Sequence, residues 1–99
     1  MKQFVVVSYD ITNDRRRRKV MKTVEGFGTH VQYSVFECWL TPKEVKRMKA
    51  RINKIIRPQK DHVRYYFLCA ACAERVETTR AGELTTRLTG VFFDVRPNP

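Results

Sequence analysis

The sequence predicts a single α+β domain in which two helices alternate with at least four strands in the order β-α-β-β-α-β. Three observations lead to this fold class. An apolar run at Phe4–Val7 is typical of a buried strand, Thr41-Pro42 marks the start of a helix, and the hydrophobic segment Val63–Leu68 indicates a late strand. The 99 residues, 42% of them hydrophobic, suffice for one core but not for two, so residues 1–99 are expected to form one domain.

The first two elements join an apolar strand to a strongly basic helix. Strand 1 is expected over about residues 2–10, and it carries one carboxylate, Asp10, to its C-terminal end. Helix 1 is expected from Asp14 to Phe27, with Asp14 as the N-cap and glycines at the exit. Three apolar residues recur at helical spacing, and Arg17 extends their row toward the helix start. Arg17 is therefore expected to face the body of the protein more than its neighbours do.

The segment from Thr29 to Leu40 has the composition of a strand, but its alternation changes phase near Tyr33. Apolar side chains lie on one face before that point and on the other face after it. The change indicates either a bulge or two short strands joined by a very tight turn.

The second half of the chain adds a helix and one or two strands. Helix 2 begins with the capping box at residues 41–44, and Arg57-Pro58 ends it. A strand at about Asp61–Ala70 completes the split βαβ order of a ferredoxin-like sandwich. Residues 72–80 fit a strand or a short helix equally well. A further strand at Gly90–Val95 has no obvious neighbour, so the segment of about residues 81–99 is expected to pair with a second copy of the chain.

The net charge of +10 is unevenly distributed along the chain. Residues 1–60 contain 15 Lys and Arg against 5 Asp and Glu, whereas residues 61–99 contain 5 of each class. Such a surface favours a polyanion, because basic groups gain affinity by releasing condensed counterions. No segment resembles a membrane span or a signal peptide, so the expected partner is nucleic acid in the cytoplasm and not a membrane.

Two rows of cations form the predicted nucleic-acid surface. In helix 2 the row advances by four, four and three residues, which aligns it on one face with only one acid interleaved. An ordinary solvated helix face is the alternative, but such a face normally carries more acids. The residues expected to contact phosphates are Arg15, Arg16, Arg18, Lys43, Arg47, Arg51 and Lys54.

Asp10 is the candidate catalytic residue and metal ligand, because ligands gather at the carboxyl ends of strands in α/β sheets. A single carboxylate is a poor site for Mg²⁺ or Mn²⁺. Either two copies of Asp10 share an ion across a two-fold axis, or the protein does not hydrolyse phosphodiesters at all. The simpler alternative is that Asp10 begins a turn. His30 and His62 are isolated in the sequence, which favours structural or surface roles for both.

The three cysteines are an odd number and favour reduced thiols over a disulfide framework. Cys69 and Cys72 have the spacing of half a zinc knuckle, but no second half is present. Small apolar packing residues are therefore expected at Cys38, Cys69 and Cys72, and an apolar setting makes them poor nucleophiles.

Three segments of the chain form a recognisable pattern. They are Val7-Ser8-Tyr9-Asp10-Ile11-Thr12-Asn13-Asp14 with the arginine-rich helix after it, Gly28-Thr29-His30-Val31-Gln32-Tyr33-Ser34-Val35-Phe36-Glu37, and Val63-Arg64-Tyr65-Tyr66-Phe67-Leu68-Cys69-Ala70-Ala71-Cys72. With these segments the chain resembles the CRISPR-associated protein 2 family, the small subunit that accompanies the spacer integrase in prokaryotic adaptive immunity. The resemblance covers about residues 3–80, and the spacing between the first two segments is its most specific feature.

This resemblance implies a ferredoxin-like homodimer in which Asp10 lies across the dimer axis and binds a divalent metal. Arg17 and Phe36 match other positions linked to activity in relatives, and Lys19 and His30 stand where some relatives have arginine. The resemblance also implies a metal-dependent endonuclease acting on RNA or duplex DNA in some members. In addition, it implies a structural subunit that bridges integrase dimers and holds the DNA to be inserted.

Two other functions share the predicted fold. One is a free-standing RNase of the toxin kind, which would lack an integrase partner. The other is a non-catalytic RNA-recognition module, which needs exposed aromatic residues in an RNP-type strand, and none of the strands here has that pattern.

Overall fold

The computed structural model describes residues 1–77, and the predicted strand at Gly90–Val95 lies outside these residues. The described elements are β1 (Gln3–Asp10), α1 (Asp14–Glu25), β2 (Gly28–Gln32), β3 (Val35–Leu40), α2 (Pro42–Ile55), β4 (His62–Leu68) and α3 (Ala70–Ala73). The four strands form one sheet in the order β2-β3-β1-β4, and every neighbouring pair is antiparallel. This confirms the predicted α+β, ferredoxin-like arrangement. No helix within residues 1–77 is long and apolar enough to cross a membrane.

The main core lies between the helices and one face of the sheet. Val5, Val7 and Tyr9 alternate along β1 onto this face, where α1 and α2 cover them. Each helix contributes a buried stripe, in which the fully buried residues are Val20 and Val24 of α1 and Met48 and Ile52 of α2. The two helices therefore form a single layer on this side of the sheet.

The N-cap of helix α1 lies one residue earlier than the sequence predicts. Asn13 is the N-cap: it has an extended backbone, and its side chain accepts a hydrogen bond of 2.9 Å from the backbone N–H of Arg16. The predicted cap, Asp14, lies instead in the first turn, where a negative charge also suits the helix dipole. The helix ends at Glu25, short of the predicted Phe27, because the chain turns at Gly26.

The phase change in the middle strand results from both predicted causes. Strands β2 and β3 form a hairpin that turns at Tyr33-Ser34, and the register slips by one residue between His30 and Gln32. The extra residue shifts the alternation between the two strands, and β3 then places Phe36, Cys38 and Leu40 in the main core.

Helix α2 starts as the sequence predicts. The Thr41 side chain accepts a hydrogen bond from the Glu44 backbone N–H at 3.2 Å, and the Glu44 carboxylate accepts one from the Thr41 N–H at 2.8 Å. The bond from the Thr41 backbone is the main reason why the pKa of Glu44 lies below its ordinary value. After Ile55 the chain leaves the helix ahead of Pro58, which agrees with the predicted end.

Within residues 1–77 the second face of the sheet is covered at one end. Phe4 is fully buried there against Ala73 of α3, with Trp39 and Leu68 packed around them. Residues 72–80, which the sequence assigns to a strand or a short helix, thus begin inside the helix α3, and residues 78–80 lie outside the described part of the chain. Toward the other end of β1 no described helix covers this face, which we call the open face.

Candidate functional site

Asp10 lies at the exposed end of the central strand β1, on the open face of the sheet. Its Cα partner across the β1–β4 ladder is His62, and Ser8 is paired in the same way with Arg64. These residues, together with Tyr9 and Tyr66, line a shallow groove of about 330 Å³. A carboxylate, an imidazole and a guanidinium thus converge at one end of the sheet, which is a suitable set of groups for binding a metal-bridged phosphate.

The sequence analysis did not identify His62, Arg64 and Tyr66 as site residues. The Arg64 Nη1 donates a hydrogen bond of 3.4 Å to the Tyr66 hydroxyl, which raises the pKa of Arg64 and holds the two side chains together. Their alternation along β4 was visible in the sequence. The pairing of His62 with Asp10 was not, because it depends on a register between strands that are far apart in the chain.

The loop that follows Asp10 is held in place by Arg17. The Arg17 guanidinium donates hydrogen bonds to the carbonyl oxygens of Ile11 at 3.1 Å and Thr12 at 3.4 Å, and it forms an ion pair with Asp14. Its side chain is 42% exposed, so it lies partly against the protein, as its position in the helical row predicts. Arg17 therefore fixes the backbone next to Asp10.

Phe36 and His30 form an aromatic stack beside the site. Phe36 is fully buried, and its ring lies 4.4 Å from the His30 ring at an angle of 9° and 6.3 Å from the Tyr9 ring. His30 Nε2 is 2.8 Å from the carbonyl oxygen of Tyr33, which can only accept, so this nitrogen carries the hydrogen. Burial raises the pKa of the Tyr9 hydroxyl. The stack joins the hairpin turn to β1 next to Asp10, whereas Lys19 is exposed on α1.

Arg16 differs from the other cations that the sequence placed on the nucleic-acid surface. Its Nε and Nη2 donate to the two carboxylate oxygens of Asp61 at 2.7 and 3.1 Å, and its side chain is only 16% exposed. The Asp61 side chain is fully buried and also accepts a bond of 2.8 Å from the Arg57 backbone N–H. The hydrogen bond from Arg16 is the main cause that lowers the pKa of Asp61. Arg16 thus ties α1 to the turn before β4.

The remaining predicted phosphate contacts are all exposed on the helix layer. Because α1 and α2 pack side by side on the same face of the sheet, their two basic rows belong to one surface. That surface lies on the side of the sheet opposite the open face. The exposed members are Arg15 and Arg18 of α1 and Lys43, Arg47, Arg51 and Lys54 of α2.

The prediction of apolar packing holds for one of the three cysteines. Cys38 is buried, and burial raises its pKa to about 12. Cys69 and Cys72 are exposed, so the prediction was wrong for this pair. The reason is the orientation of the short α3, whose N-cap is Cys69. This helix places Ala73 against the sheet and leaves the two cysteines on its exposed side.

Asp10 fits a divalent ion such as Mg²⁺ or Mn²⁺ in its chemistry and exposure. The carboxylate is a hard oxygen ligand, and it lies in a groove open enough to admit a hydrated ion and a phosphate. Within residues 1–77 no group of three or more His, Cys, Asp or Glu side chains is assembled. Among the described residues that line the groove, Asp10 is the only carboxylate, so one copy of this part of the chain offers the ion one such ligand.

The fold and the site define a class of small ferredoxin-like proteins with one carboxylate at the open end of the central strand and a basic helix layer. Within this class the chain belongs to the CRISPR-associated Cas2 family, because the model of that family matches residues 1–76. A relative from Chloroflexus aurantiacus is 44% identical over 86 residues, which are 87% of this chain and 92% of the relative. That relative is named a CRISPR-associated endoribonuclease Cas2.

Solved structures support the same assignment. The crystal structure of Streptococcus pyogenes Cas2 at pH 6.5 has a TM-score of 0.69 and 39% sequence identity, covering 76% of this chain and 96% of that one. A chain of a partial Cas6-RT-Cas1–Cas2 complex has a TM-score of 0.66 at 25% identity, covering 77% of this chain and 89% of that one.

Proposed function

We propose that this protein is the Cas2 subunit of a CRISPR spacer-acquisition complex, acting as a homodimer that binds duplex DNA and an integrase. We further propose a metal-dependent phosphodiesterase activity at Asp10. The observation that carries the proposal is the placement of Asp10 in a groove with His62 and Arg64 on the open face of the sheet. The names of the relatives and the partial complex among the similar structures support it.

A second copy of the chain is part of the proposal for two physical reasons. A single carboxylate is a weak site for Mg²⁺, and two copies of Asp10 facing each other would supply two anionic ligands. The open face also carries a partly exposed Val35 and a Tyr66 that is 47% exposed, which are apolar groups that a partner could cover. Pairing two open faces would cover these side chains and bring the two grooves together.

When bound, the ion would neutralise phosphate charge and lower the pKa of a water molecule. The chain itself supplies the other interactions. Arg64, oriented by Tyr66, can hold a phosphate oxygen beside Asp10, and Arg17 keeps the loop after Asp10 in one conformation. His62, directly opposite Asp10, can bind a water molecule or a substrate oxygen in the groove.

DNA binding is expected to be separable from hydrolysis, because the two surfaces lie on opposite sides of the sheet. Asp10→Asn keeps the shape of the side chain and removes the anionic ligand. We expect this variant to lose Mg²⁺-dependent cleavage of RNA or DNA while its affinity for duplex DNA and for the integrase is unchanged. The matched control is Glu25→Gln, an exposed acid outside the groove, which should cleave as the wild type does.

Three outcomes of this comparison are informative. Equal cleavage by wild type and Asp10→Asn would contradict the proposed active site. If neither protein cleaves and spacer integration is intact with both, the function of the protein would be limited to its structural role beside the integrase. Cleavage without any association with an integrase would favour the free-standing RNase instead.

The basic surface is tested by the salt dependence of DNA binding. Reversing Arg47 and Arg51 to glutamate should weaken binding to every DNA sequence alike and reduce the slope of log affinity against log salt by about 2. The control reverses Lys60 and Arg75, which are exposed outside the two rows and give the same change in net charge. Equal losses in both variants would show that only net charge matters, and would contradict a defined DNA-binding surface.

A further inference from the structure

We propose that Cys69 and Cys72 form a thiol–disulfide exchange site whose substrate is a disulfide, either a small molecule such as oxidised glutathione or an exposed disulfide of a protein. This inference is independent of the proposed nucleic-acid function. It rests on a cluster of two nucleophilic side chains that neither the groove nor the basic surface uses.

The geometry of the pair suits an intramolecular disulfide. The turn from Cys69 to Cys72 is closed by a hydrogen bond of 2.9 Å from the Ala73 N–H to the Cys69 carbonyl, and both side chains are exposed. Cys69 is the N-cap of α3 and Cys72 is its third helical residue, two positions whose side chains lie on the same side of the first turn, and disulfides need Cα atoms within roughly 7 Å. The backbone therefore already holds the two sulfurs within reach of each other.

The two thiols also differ in a way that assigns them different roles. Hydrogen bonding with Cys72 lowers the pKa of Cys69, whereas the hydrogen bond with the Cys69 side chain raises the pKa of Cys72. The proposal assigns Cys69 as the nucleophile and Cys72 as the resolving thiol, and the reaction rates of the two serine variants test this order. Cys38 takes no part, because it is buried in the core.

The reaction balances without any other component. The Cys69 thiolate attacks one sulfur of the disulfide, forms a mixed disulfide and releases one thiolate. Cys72 then loses its proton and attacks the Cys69 sulfur, which forms the Cys69–Cys72 bond and releases the second thiolate. The protein loses two electrons and two protons, and one disulfide becomes two thiols.

Oxidation would close a covalent ring at the exit of β4. Ala73, one residue after Cys72, is buried against Phe4 and covers the otherwise exposed end of the second sheet face. The ring would hold this turn in its helical conformation, so the oxidised protein should protect the amide hydrogens of Ala73 and Val76 from exchange more strongly than the reduced protein does.

The experiment exposes the reduced, full-length protein to oxidised glutathione and follows it by intact-mass and peptide mass spectrometry. Wild type should lose two hydrogens and show a Cys69–Cys72 linkage. Cys72→Ser should stop at a stable glutathione adduct on Cys69. At neutral pH, Cys72→Ser, which keeps Cys69, should react faster than Cys69→Ser, which keeps Cys72. A tenfold larger fraction of thiolate should raise the rate only about threefold, because a thiolate of lower pKa is a weaker nucleophile.

Circular dichroism establishes that both serine variants are folded, and Cys38 is the internal reference, which should stay unmodified until denaturant is added. Four results would overturn the proposal: equal rates for the two variants, a wild-type adduct that never resolves, a disulfide between two copies in place of the internal one, or a stoichiometric zinc ion that protects both thiols. Unchanged amide exchange on oxidation would overturn the structural consequence of the ring.

Discussion

Replacing Gly28 by alanine tests how closely β2 lies against β3 beside the aromatic stack. An added Cβ would overlap the Cys38 sulfur and would lie 2.5 Å from the Glu37 carbonyl oxygen and 3.0 Å from the Cys38 Cα. The sulfur can rotate away, but the carbonyl oxygen and the Cα belong to the backbone of the paired strand. The start of β2 must therefore move away from β3.

Overpacking of this kind costs about 1–3 kcal/mol, and the backbone obstacle places Gly28→Ala toward the upper end. The lower entropy of the unfolded alanine chain returns about 0.4–1 kcal/mol, which leaves a net loss of about 2 kcal/mol. For a domain of this size the melting temperature should fall by roughly 10 °C. Urea unfolding at a fixed protein concentration measures the loss, and the NMR shifts of His30 report the displacement of its stack on Phe36.

Gly26→Ala is the matched control for this prediction. Its Cβ would make only an ordinary contact of 3.4 Å with the Thr23 carbonyl oxygen, and its backbone is right-handed with φ of −75°. We expect no loss of stability there, and at most a small gain. If Gly28→Ala unfolds at the same urea concentration as Gly26→Ala, β2 does not lie close enough to β3 at Gly28 to exclude a Cβ atom, and the reasoning is refuted.

Three further predictions concern other parts of the fold. Asp61→Ala should cost about 3 kcal/mol because it leaves Arg16 without its buried partner. Because the pKa of Asp61 is lowered in the folded state, the stability from this pair is present above about pH 4 and is lost as the pH falls through the folded pKa, so urea unfolding should show less acid sensitivity in the variant than in wild type. Thr41→Ala should cost about 1 kcal/mol by breaking the capping box with Glu44, and an unchanged urea midpoint would contradict that role. Tyr65→Phe should raise the free energy of unfolding by about 1 kcal/mol, since the buried Tyr65 hydroxyl finds no hydrogen-bond partner within residues 1–77; a loss of stability on calorimetry would refute this.

The elements of this protein that are encoded by short-range chemistry could be predicted from the sequence. The capping box of α2 depends on residues three apart, and the buried stripe of each helix depends on a period of 3.6 residues. The order of helices and strands along the chain could be predicted once these elements were recognised. The N-cap of α1 was misplaced by one residue because Asn13 and Asp14 are both good caps, and only the backbone conformation distinguishes them.

Contacts between distant segments could not be predicted in the same way. The run of cations at the start of α1 gives no sign that Arg16 forms a buried ion pair, since its partner Asp61 stands 45 residues away. His62 was isolated in the sequence and gains a neighbour only through the β1–β4 register. Likewise, the exposure of Cys69 and Cys72 follows from the direction in which α3 meets the sheet. Each of these features depends on tertiary packing and produces no periodic pattern in the sequence.

The pairing of the first strand with the fourth determines when the site comes into existence during synthesis. Its two walls, Asp10 on β1 and His62 on β4, come from opposite ends of the described chain. The β2–β3 hairpin can close locally, whereas β1 and β4 have the largest sequence separation of the three strand pairs in the described sheet, so their pairing costs the most loop entropy. A nascent chain on the ribosome therefore has no groove until β4 has emerged and docked. If the groove is the active site, as proposed, the incomplete chain cannot cleave the messenger and ribosomal RNA that surround it during synthesis.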